Sequence, residues 1–114
     1  MAQSTTGLIE NSAVSGERPS TTFVVLITND DTAANTVLIK GFYVSGTTKT
    51  QYVQELLSLV AGGVATRSYF AQFDAFEFQF VTSSRAVDIS GWGKDAQGAL
   101  TTAQRAVPEE LALF

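Results

Sequence analysis

The chain has 114 residues, 45% hydrophobic and 16% charged, which fits one globular domain built around a single core. Eleven acidic residues against seven basic leave a net charge of −4. The basic patch that nucleic acid demands is therefore missing, as are the polybasic clusters that anionic membrane attracts. With no Cys and no His, disulfides, zinc-thiolate sites, thiol nucleophiles and the usual Ser-His-Asp triad are all excluded.

Carboxylates, Lys, Tyr and Arg remain for catalysis, and that short inventory points away from an enzyme. No cofactor is implied. The start, Met1-Ala2-Gln3-Ser4-Thr5-Thr6-Gly7, places no positive charge before an apolar run. It reads as a chain made in the cytoplasm without a signal peptide. No apolar stretch approaches the ~20 residues of a membrane-spanning helix, so membrane insertion is not expected.

Residues 1–20 are polar and small apart from Leu8, Ile9 and Val14, and Gly16-Glu17-Arg18-Pro19 reads as a turn or linker. We take them as an extension outside the core, with two readings open. One is a disordered tail; the other is an arm that pairs with something, since a solvated tail has no need of the Leu8-Ile9 pair. Residues 21–114 form the body.

Strand patterns begin at Thr22. Phe23-Val24-Val25-Leu26-Ile27 is a β-branched and aromatic run ended by Asn29-Asp30-Asp31, and Val37–Val44 follows, ended by Ser45-Gly46-Thr47-Thr48. Tyr52–Leu59 fits either a helix or a strand, and the flanking turns favour the strand. Ala61-Gly62-Gly63 makes a turn before the strand Val64–Phe70. In Ala75-Phe76-Glu77-Phe78-Gln79-Phe80-Val81 the period of two puts three aromatics on a core face and Glu77 and Gln79 on the solvent face. Thr82-Ser83-Ser84 reads as a hairpin turn into Ala86–Gly93. There Val87, Ile89 and Gly91 share one face, and Asp88, Ser90 and Trp92 the other. Leu111, Leu113 and Phe114 are expected to dock on something. Short strands recurring roughly every 10 to 14 residues, with no convincing helix, predict an all-β sandwich or barrel.

Candidate sites are few. Asn29-Asp30-Asp31 could supply two or three of the oxygens that calcium needs, but the same residues suit a hairpin tip, and no metal site is predicted. A glycosidase needs two carboxylates facing across a cleft, and no spacing selects a pair from Asp74, Glu77 and Asp88. Trp92, between Gly91 and Gly93, suits the core or a sandwich edge, with the glycines marking a bulge or a close approach. Its alternative use is as a ligand surface that stacks on sugar. Gly62-Gly63 lacks the following Lys of a phosphate loop.

Three segments between Phe23 and Trp92 carry a resemblance: the apolar run with its polar turn Phe23–Asp31, the strand Lys40-Gly41-Phe42-Tyr43-Val44, and Gly63 followed by Ser68-Tyr69-Phe70 and Phe73-Asp74. With its polar N-terminal arm, the chain resembles the subunits of Bacillus-type endospore appendages, pilus-like fibres on spores. The resemblance implies an eight-stranded jelly-roll β-sandwich whose arm, here Met1 to about Arg18, docks on the neighbouring subunit through Leu8, Ile9 and Val14. It also implies a homopolymer displayed on the spore surface, with a tip or anchor protein as a further partner left open. The family's best-known members carry Cys pairs in arm and body; this chain has none, which leaves only the non-covalent type. The competing expectation is a carbohydrate-binding or attachment module of a spore or phage surface. A calcium-dependent enzyme ranks third.

Overall fold

The computed structural model describes residues 2–105 and 107–108, with side chains described as far as Ala99. The described residues contain no helix. Ten strands follow in chain order: β1 (Ala2–Thr5), β2 (Ile9–Glu10), β3 (Thr22–Asn29), β4 (Asn35–Ser45), β5 (Thr48–Leu59), β6 (Val64–Phe70), β7 (Ala75–Thr82), β8 (Val87–Lys94), β9 (Leu100–Arg105) and β10 (Val107–Pro108). The first sheet runs β10-β1-β7-β4-β5, with β2 also beside β7; the second runs β6-β3-β8-β9. Every pairing is antiparallel. The chain is an all-β sandwich.

The core lies between the sheets. Phe23, Val25 and Ile27 of β3 meet Val37 and Ile39 of β4 and Phe76, Phe78 and Phe80 of β7, all buried. Each contributes about 1.5–3 kcal/mol by leaving water. The Phe23 ring stacks on Phe78 at 5.0 Å across the interface. Two glycines make room for these rings. A Cβ on Gly91 would stand 2.5 Å from Phe23 Cζ, and one on Gly41 would stand 2.7 Å from Phe78 Cε2. The close approach expected around Trp92 is there, and the β8–β9 register shifts between Trp92 and Lys94.

Two expectations are corrected. Thr82-Ser83-Ser84 is no hairpin turn, because β7 and β8 lie in different sheets. Both edges of β7 are already taken, by β1 and β4. The turn therefore carries the chain from one sheet to the other. Nor do the first twenty residues stand outside the body: β1 and β2 both pair with β7, and Asn11 and Ser20 are buried. Leu111, Leu113 and Phe114 lie outside the described residues.

Candidate functional site

The arm and its seat form an extensive polar arrangement. Ala2 pairs with Thr82, Gln3 with Val81, Ser4 with Phe80 and Thr5 with Gln79, so β1 continues the first sheet by backbone ladder. The ladder ends at Thr6, whose N–H donates to the Phe78 carbonyl at 3.0 Å, before Gly7 turns the chain at φ 67. Thr5 Oγ1 donates to Glu77 Oε2 at 2.5 Å, Lys49 Nζ to Glu77 Oε1 at 2.8 Å and Gln79 Nε2 to Oε2 at 3.2 Å. Glu77 does point away from the core, as its alternation predicts. It is nonetheless only 7% exposed, because the arm and Lys49 cover it. Burial pushes its carboxyl up, but the bonds from Lys49, Thr5 and Gln79 outweigh that and hold it below the usual carboxylate range.

Asn11 anchors the base of the arm. Its side-chain amide donates to the carbonyls of Ser20, Ala71 and Phe73 at 2.9, 2.8 and 3.0 Å, and its oxygen accepts the Ser20 N–H at 2.8 Å. Its backbone N–H donates to the Asp74 carbonyl, and Arg18 bonds both the Asn11 carbonyl and the Asp74 carboxylate. Between Asn11 and Ser20 the chain loops out through a tight turn, closed by Val14 and Glu17, with Ser15 at φ 53 and Gly16 at φ 83. A non-glycine residue at positive φ carries a small local cost, which Ser15 bears within this turn.

The three docking side chains read from the sequence separate. Ile9 packs against the core, whereas Leu8 and Val14 are 59% and 69% exposed. Trp92 is half-buried on the outer face of the second sheet opposite Val24, which is itself buried. Asn29 is fully buried and donates to the carbonyls of Ala33, Leu59 and Val60, which makes it a turn anchor. Its neighbour Asp31 accepts from Asn35 and Thr32. Among the described residues no group of three or more His, Cys, Asp or Glu could hold a metal. Glu77 and Asp88 point outward from opposite sheets, and Asp74 pairs with Arg18 at 2.6 Å, so no two of these three face each other across a cleft.

A second arrangement escaped the sequence. On the flank where β5 and β6 run side by side, Glu55 accepts from Arg67 Nε at 2.8 Å and from the Tyr69 hydroxyl at 2.7 Å. The register pairs Glu55 with buried Ile39 and Arg67 with buried Val25, so these charges point inward at the two sheet edges. The only signal in the sequence was a charge at a core-phase position in each strand. It could be read only once the phase was known.

No family model matches the chain, and no curated protein matches it. Its fold is similar to the crystal structure of Thermotoga maritima 1070, with a TM-score of 0.56 and 11% identity over 96% of this chain and 95% of that one. At that identity the likeness concerns fold alone.

Proposed function

We propose that the chain is a structural, self-assembling subunit whose copies join when the arm of one takes its place beside β7 of the next. The observation that carries this is the way β1 is held. Residues 2–6 engage β7 through backbone bonds and small polar side chains, and any other copy offers the same partners. Exchange of an identical element costs little, because every hydrogen bond broken within a chain is remade between chains. The exposed loop between Asn11 and Ser20 is the hinge. An exchange that runs head to tail leads to an open filament. The resemblance to endospore appendage subunits points to the same kind of assembly. Over β2 to β9 the chain changes sheet at each step except the β4–β5 and β8–β9 hairpins, the sheet-crossing habit that jelly rolls share.

Negative-stain electron microscopy of the full chain beside a variant lacking residues 1–11 tests the proposal. Filaments from the full chain and discrete particles from the truncation are expected. Discrete particles from the full chain at all concentrations would sink it. Where the truncation fails to fold, deletion of Ser15 and Gly16 keeps arm and seat but makes the hinge too short to close within one chain. Larger assemblies are then expected. A second reading, a sugar-binding module, draws on the half-exposed Trp92 ring. Glycan-array binding by the arm-deleted particle would favour it.

A further inference from the structure

We propose that Thr5 of the arm condenses with Gln79 of β7, forming an ester that fixes the arm to its seat and releases ammonia. Thr5 and Gln79 are direct partners in the β1–β7 register, so their side chains leave the sheet on the same face. Thr5 Oγ1 donates to Glu77 Oε2 at 2.5 Å, and Gln79 Nε2 donates to that same oxygen at 3.2 Å. One carboxylate oxygen thus holds the hydroxyl and the amide nitrogen together. Thr5 Oγ1 also accepts the Gly7 N–H at 3.0 Å, which directs its own proton to Glu77. Glu77 and Gln79 are 7% and 6% exposed, so the water that would hydrolyse such a bond is largely excluded.

A nucleophile, a base and an acyl donor are the parts that acyl transfer needs. Glu77 Oε2 takes the Thr5 proton as Oγ1 bonds to Gln79 Cδ. The Cδ–Nε2 bond then breaks, and the same oxygen returns the proton to the departing nitrogen. The products are an ester and one ammonia, and no oxidant or co-reactant is consumed. Lys49 Nζ, 2.8 Å from Glu77 Oε1, helps to keep the carboxylate charged, and as the ammonium of that ion pair it is no rival nucleophile. The ladders on both sides of β7 supply the proximity. A carboxylate is a weak base, but each chain reacts once, so a slow step suffices.

Intact-mass measurement of the purified full chain, held at neutral pH over days, tests this. Chains lighter by one ammonia are expected, with tandem spectra joining Thr5 to Gln79. Alkaline hydroxylamine, which cleaves esters and spares amides, should undo the link. Thr5→Val and Gln79→Met each lack one reacting group and should retain the full mass. Glu77→Gln should form the link about 100-fold more slowly. A folded wild-type chain that keeps its full mass would overturn the proposal. So would a lost ammonia that maps to other residues, or a Lys49–Gln79 amide that survives hydroxylamine. The ester forms whichever copy supplies the arm: a linked monomer on a denaturing gel carries its own arm, and a linked ladder carries exchanged ones. Failure of the exchange and failure of the ester are therefore read separately.

Discussion

Asn11 and Ser20 hold each other twice: the Asn11 amide donates to the Ser20 carbonyl at 2.9 Å and its oxygen accepts the Ser20 N–H at 2.8 Å. One buried side chain thus closes the loop between the arm and the body and also satisfies the carbonyls of Ala71 and Phe73. Asn11→Ala strands those groups in a site that is 1% exposed. A loss of about 3 kcal/mol in urea unfolding is expected, since buried polar groups left without partners cost about 1–3 kcal/mol each and several are involved. Hydrogen exchange should rise in residues 2–10 more than in β3. A loss below about 1 kcal/mol would show that water replaces the amide and that Asn11 is no anchor.

Glu77 ties the arm to pH. Its folded pKa lies below the ordinary 4.5, so between the two values the unfolded chain binds a proton that the folded chain does not. The stabilisation is complete above about pH 4.5 and is lost as pH falls through the folded value. Glu77→Gln should therefore unfold at a urea midpoint that varies less between pH 5 and pH 3 than that of the wild type. Some acid sensitivity should persist. Asp31 is lowered by its bond to Asn35, and Glu55 by its bond to Arg67, so both respond in the same direction. Parallel profiles for the two proteins would show that Glu77 does not carry the linkage.

How much of this was legible in the sequence depended on the range of the contact. Alternation within Phe76–Phe80 told the inward face from the outward one, because that information is local. Whether the outward face is wet depends on Thr5, 72 residues away along the chain, and no local pattern contains it. The turn at Thr82–Ser84 failed for the same reason: hairpins and sheet-to-sheet crossings use the same small polar residues. Only the occupation of both edges of β7 decides between them. Asn11 looked like one more polar residue in a polar stretch, yet its value comes from carbonyls on two distant segments.

The Gly91–Phe23 approach predicts a steric penalty with a specific rescue. Gly91→Ala puts a Cβ 2.5 Å from Phe23 Cζ and 3.1 Å from the Val24 carbonyl, in a strand whose backbone is pinned to β3. A loss of about 1–3 kcal/mol is expected. Phe23→Leu removes the ring edge and costs stability alone, but the double variant should be more stable than the sum of the two losses. Strict additivity in that thermodynamic cycle would mean that the strain falls on backbone rather than on the ring.

In the proposed assembly, Glu55 and Arg67 would keep copies from joining along the β5–β6 flank. Among the described residues the outer edges of β5 and β6 carry no neighbouring strand, and Leu56, Val64 and Phe70 on them, with Val60 just past β5, are exposed, which would invite strand addition. A strand pairing flat against either edge would have to cover the inward charges and desolvate an ion pair that now reaches water, with side chains 34% and 39% exposed. Replacing both, as in Glu55→Val with Arg67→Val, removes that obstacle and leaves the phenol of Tyr69 without its acceptor. Light scattering at neutral pH should then show self-association that persists in a variant lacking residues 1–11. If the double variant assembles no more than its parent, the charges do not guard the edge, and the exposed apolar side chains alone fail to recruit a partner.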